Sequence, residues 1–144
     1  MSQTELFTFH GGRAWTLMLR RADGRSGVVY GAKDGGDKEV LLFDSEAKAA
    51  AFISGAAQRG TDARGWEPRL LDGPMRVGRF LLDSKKAGAA LIVTNPVVAG
   101  GMIMYGKVPI EGMLAEAMRS LEGRPGSGPL LKEYARSSAG EKRE

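Results

Sequence analysis

The stretch Ala89-Ala90-Leu91-Ile92-Val93-Thr94-Asn95 decides the fold. It is uncharged, partly β-branched and closed by Asn95-Pro96, which reads as a strand buried on both faces. Its flanks supply helices. Downstream, Ile110, Met113, Leu114, Ala117, Met118 and Leu121 recur at i, i+3, i+4, i+7, i+8 and i+11, one face of a helix over 110–121. Upstream, Asp72-Gly73-Pro74 opens a helix over 75–86, with proline at the first helical position, where its missing N–H costs nothing. Val77, Phe80, Leu81 and Ser84 share a face of that helix, and Gly88 supplies a left-handed cap.

Further toward the N-terminus the period shortens to two. Residues 5–10 alternate as a strand, Gly11-Gly12 is a hairpin signal, and residues 13–20 form the partner strand with Trp15, Leu17 and Leu19 on one face. Residues 26–30 and 38–43 read as two more strands of an antiparallel meander, separated by a glycine- and aspartate-rich loop over 31–37. Asp44 or Ser45 then caps a helix whose Ala49, Phe52, Ile53 and Ala56 follow the helical period until Gly60. Residues 60–68 read as a polar connection, Leu70-Leu71 as a brief strand or buried anchors, and residues 102–105 as a strand.

These elements predict an α+β fold: a mainly antiparallel sheet of five or six strands with two or three helices packed mostly on one face. The domain spans 1–123. Residues 124–144 read as a flexible polar tail, with one or two helical turns over 130–136.

The chain has 144 residues, 42% hydrophobic and 26% charged, which suits one globular domain. It has no cysteine, so disulfides and thiolate chemistry are excluded. No secretory leader is evident, and no stretch approaches the roughly 18 apolar residues of a membrane helix, so the expected setting is cytoplasmic with no membrane partner. Arginine outnumbers lysine, 13 to 8, and glycine and alanine abound, which points to a GC-rich bacterial genome. The net charge of +4 is not concentrated in the body: five basic and three acidic residues over 124–144 leave +2 there, and the 123 residues before them, nearly balanced, carry the other +2. That is not a polycation.

No catalytic, cofactor or metal constellation emerges. His10 is the one histidine, and a metal or triad site needs more donors than it provides. Gly101 to Lys107 matches seven positions of a phosphate loop, but Val108 stands where magnesium binding needs Ser or Thr. Ser45 and Lys48 have the serine–lysine spacing of penicillin-recognising enzymes without the companion motifs.

Two binding surfaces remain, both for a chain expected not to be an enzyme. The uncharged, methionine- and glycine-rich segment carrying Val97, Val98, Met102, Met104 and Tyr105 is a candidate protein contact, including self-association into a homodimer. The basic set Arg64, Trp66, Arg69, Arg76, Arg79, Lys85 and Lys86, together with the basic tail over 124–144, is a candidate nucleic-acid surface, the tryptophan stacking on a base and the cations meeting phosphates. A third option, a small enzyme, requires carboxylates that only the fold brings together.

Phe43-Asp44-Ser45-Glu46 entering an alanine-rich helix, followed by a second helix and an apolar strand ending in Asn95-Pro96, resembles the N-terminal domain of the SseB family over roughly residues 38–121. The resemblance implies a bacterial α+β domain with no catalytic residues to carry over. The first hairpin and the tail fall outside its pattern.

Overall fold

Residues 13–32, 38–99 and 102–142, which the computed structural model describes, form seven strands and four helices. In chain order they are β1 (Arg13–Arg20), β2 (Ser26–Val28), β3 (Tyr30–Ala32), β4 (Lys38–Leu42), α1 (Glu46–Gln58), β5 (Trp66–Asp72), α2 (Pro74–Lys86), β6 (Ala89–Ala99), β7 (Met102–Pro109), α3 (Ile110–Leu121) and α4 (Gly128–Lys142). The fold is mixed α+β, as the pattern of periods predicts. The expected strand over 5–10, its Gly11-Gly12 turn, His10 and residues 33–37 of the glycine-rich loop lie outside the described residues.

The strands divide between two sheets, β2-β1-β5 and β3-β4-β6-β7, instead of the single sheet expected. The cause is local. The strand over 26–30 breaks at Val29, so its first part pairs with β1 and its second with β4. The sheets stay joined: Trp15 and Phe43 exchange backbone hydrogen bonds at 2.8 Å in both directions, and the Thr16 hydroxyl donates to the Leu41 carbonyl at 2.8 Å. Thr16 is fully buried, so that bond satisfies a polar group water cannot reach. Strand pairing is mainly antiparallel. The exception is β4 beside β6, which run parallel at the centre of their sheet.

Period-two alternation places two cores on opposite faces. On β4, Val40 and Leu42 join a cluster with Ile92, Leu81, Leu82, Leu114 and Leu121. Leu41 and the following Phe43 join the other, with Leu17, Ala49, Phe52 and Val93. On β6, Ile92 at 0% and Val93 at 5% exposure point to opposite cores, so residues 92–94 are buried on both faces, while Ala90 is exposed and Leu91 half-buried. Helices α2, α3 and α4 cover the first face and α1 the second. The most regular apolar stripe in the sequence is also the best buried: every one of its six residues on α3 is at most 5% exposed. Each large aliphatic side chain removed from water in this way contributes about 1.5–3 kcal/mol.

Helix ends follow the sequence signals. Ser45 caps α1, its hydroxyl accepting the Lys48 N–H at 3.2 Å, and Pro74 opens α2. Three expectations change. Residues 66–68 belong to β5, because Trp66, Pro68 and Leu70 line up opposite Leu19, Leu17 and Trp15 of β1. The segment expected as a tail forms α4 over Gly128–Lys142, anchored by Leu130, 3% exposed, with Leu131 and Tyr134 beside it. Finally, Asn95-Pro96 does not end β6. It forms an irregularity between Thr94 and Val97, after which pairing with β7 resumes to Ala99.

Candidate functional site

The bulge at Asn95-Pro96 sets the geometry of the apolar segment. Asn95 has φ 46°, the left-handed region that asparagine tolerates better than most residues. Its side chain closes a clasp: Oδ1 accepts the Asp44 backbone N–H at 3.0 Å, and Nδ2 donates to the Asp44 carboxylate at 3.2 Å. Lys48 Nζ reaches the same carboxylate at 2.8 Å. The end of β4 and the start of α1 therefore hold the point where β6 leaves the core.

Beyond the clasp the hairpin is two-faced. Its register pairs Val97 with Met104, Val98 with Ile103 and Ala99 with Met102. Val98 packs into the α1-side core, so close to the helix that a Cβ at Gly55 would stand 2.6 Å from the Val98 Cβ. Only glycine fits that position. Val97 at 51% and Met102 at 68% exposure lie on the opposite face, and Ile103 is 40% exposed. Among the described residues, three of the four large hydrophobic side chains that stand out in solvent thus sit at one hairpin tip, the fourth being Met75. The candidate set splits accordingly: Val97 and Met102 are exposed and Val98 is half-buried, while the side chains of Met104 and Tyr105 lie outside the described residues. Residues 102–107 continue as a strand, which is not the shape of a phosphate cradle.

The basic candidates do not form one surface. Arg64 pairs with Asp62 at 2.9 Å, and its hydrogen bonds hold the Asp62 carboxyl below the usual carboxylate range. Arg79 donates to Glu133 of α4 at 2.9 Å, and Lys86 pairs with the same carboxylate. Those bonds, Lys86's first and then Arg79's, lower the pKa of Glu133. Lys85 turns inward, its side chain 9% exposed and paired with Glu111 of α3. The reason is visible in the spacing: residues 77, 81 and 85 form an i, i+4, i+8 stripe, and Val77 and Leu81 are core. Trp66 and Arg69 stand three positions apart on β5, which puts them on opposite faces. Trp66 packs against the α1-side core, so it shares no surface with Arg69 and Arg76.

Two concavities were not legible in the sequence. One is a cleft of about 510 Å³ beneath the hairpin, lined by Phe52, Ala56, Trp66, Val93 and Ile103, with Arg59 and the buried Glu39. Glu39 pairs with Lys107 at 2.8 Å. No second acid lines the cleft among the described residues, so it does not present the paired carboxylates of the enzyme option. The other is an open groove between β5 and α2.

Fold and surface together define an α+β scaffold whose most distinctive exposed feature is an apolar hairpin. No protein-family model matches the chain, and no match appears among curated proteins. Among the described residues, no helix is long and apolar enough to cross a membrane.

Proposed function

We propose that this protein is a non-catalytic interaction module that docks through the tip of the β6–β7 hairpin, a second copy of the chain being the first partner to consider. The supporting observation is the exposure of Val97 and Met102 on one face of a segment that carries no charge from residue 96 to 106. Apolar side chains gathered at one point on a surface gain free energy when another surface covers them. Methionine suits such a contact because its flexible thioether adapts to the facing shape. The Asn95 clasp and the Gly55–Val98 contact hold the base of the hairpin, which reduces the entropy lost when its tip is bound.

The SseB-family resemblance belongs to this reading. It is supported by the meeting of its two motif segments, 43–46 and 95–96, through the Asp44–Asn95 hydrogen bonds. A bacterial cytoplasmic setting agrees with the cysteine-free, arginine-rich composition. Sedimentation velocity over a concentration series tests self-association. The weight-average sedimentation coefficient should rise with concentration for the native chain and stay flat for a Val97→Asp, Met102→Asp double variant. A native chain that sediments as a monomer at every concentration refutes the self-association.

A further inference from the structure

We infer that the groove between β5 and α2 is a second, independent docking site, which takes an acidic peptide segment carrying an apolar anchor. The groove encloses about 540 Å³, within the ~300–1,000 Å³ range of small binding clefts. Leu71, 8% exposed, lies at its base. Met75, 37% exposed, and the half-buried Phe80 supply apolar walls, while Arg69 and Arg76 stand at its sides. Arginine, methionine and aromatic residues are the types enriched where proteins bind one another.

The charge is what selects the partner. The acids nearest Arg69 along β5 are already engaged: Glu67 pairs with Arg20 at 3.2 Å and Asp72 with Arg13 at 3.0 Å. On α2, Asp83 faces Arg79, which also holds Glu133. Among the described residues neither Arg69 nor Arg76 has a carboxylate within 4.0 Å. Two exposed guanidinium groups with no carboxylate partner among the described residues flank an apolar trough, and a carboxylate-bearing chain complements both features at once. Arg79 also lines the groove but is engaged by Asp83 and Glu133, which leaves two arginines for an anionic partner, few for a phosphate backbone, whose binding rests on many phosphate contacts. Within β5, Pro68 offers no N–H, so added-strand pairing is interrupted there and recognition falls to side chains.

Fluorescence anisotropy with the full chain tests this inference. The probe is a fluorescein-labelled peptide of about ten residues that alternates aspartate or glutamate with leucine. Two control peptides replace either the acids or the leucines by serine, and a labelled single-stranded oligonucleotide serves as competitor class. The acidic–apolar probe should bind best, and Arg69→Glu with Arg76→Glu should weaken it at least about tenfold, the sum of two surface charge contacts reversed. Because both side chains are exposed, the variant should keep the native far-UV spectrum. Val97→Asp with Met102→Asp should leave probe binding unchanged, which separates this groove from the hairpin. The inference is overturned if the double arginine reversal leaves probe affinity intact, if the serine-for-acid control binds equally well, or if the oligonucleotide binds more tightly. It is equally overturned if the arginine reversal abolishes self-association of the native chain, since a second copy would then be the occupant.

Discussion

The two halves of β6 share one composition and meet opposite fates. Residues 89–94 and 97–99 are both runs of small and branched apolar residues, yet Ile92 is 0% and Val97 is 51% exposed. The difference lies in what surrounds them. The inner half has α2 and α3 on one side and α1 on the other, whereas the outer half is covered on the α1 side, through Val98. The boundary is the Asn95-Pro96 bulge, which shifts the register and releases Val97 to solvent. Hydrophobic sequence alone does not decide burial. The number of elements that reach each face does.

The largest contrast should come from truncation. Ile92→Ala should cost about 3 kcal/mol by urea denaturation, since it opens a cavity in a packed core, while Val97→Ala should change stability by no more than about 0.5 kcal/mol. Equal effects at the two sites would erase the distinction. Gly55→Ala comes next. A methyl group 2.6 Å from the Val98 Cβ forces the hairpin and α1 apart, at a cost of about 1–3 kcal/mol in the same measurement.

Asn95 probes the boundary itself. Asn95→Ala loses both hydrogen bonds to Asp44 and keeps the left-handed strain, so it should cost about 1–2 kcal/mol. Asn95→Gly relieves the strain and should cost less than Asn95→Ala. A glycine variant less stable than the alanine variant would show that the backbone conformation is not what asparagine supplies.

The smallest effect concerns α4, a region bound by ion pairs as well as by Leu130. The pKa of Glu133 is lowered by Lys86 and then Arg79, so its contribution is fully present above the unfolded value of about 4.3 and is lost as pH falls through the lower folded value. Melting temperatures of the native chain and Glu133→Gln should therefore differ slightly at neutral pH and converge in acid. A gap that persists unchanged at low pH would assign the effect to packing.

Much of this architecture was readable from spacing. The α3 stripe, the Ser45 cap, the Pro74 start and the two-faced burial of Ile92 and Val93 are local signals that packing reinforces. The failures were non-local. Trp66 and Pro68 look like loop residues until β1 pairs with them, and the strand break at Val29 depends on two sheets competing for one segment. Leu130 and Leu131 are too short an apolar signal to announce a docked helix without the surface of α2 and α3 beneath them. The same holds for the sites. The uncharged hairpin was visible, but the division of the basic set depends on where Glu133, Glu111 and Asp62 arrive. Lys85 reads as part of the basic face, although its spacing of four and eight residues from Leu81 and Val77 is the signal that turns it inward.

Native-state hydrogen exchange along β6, followed from dilute to concentrated protein, addresses the distinction most directly. Amides of residues 91–94 should exchange only through global unfolding at every concentration, whereas those of residues 97–99 should open locally in dilute solution and gain protection as the protein is concentrated. Uniform, concentration-independent protection along the whole strand would mean that the hairpin tip is ordinary core and not a contact surface.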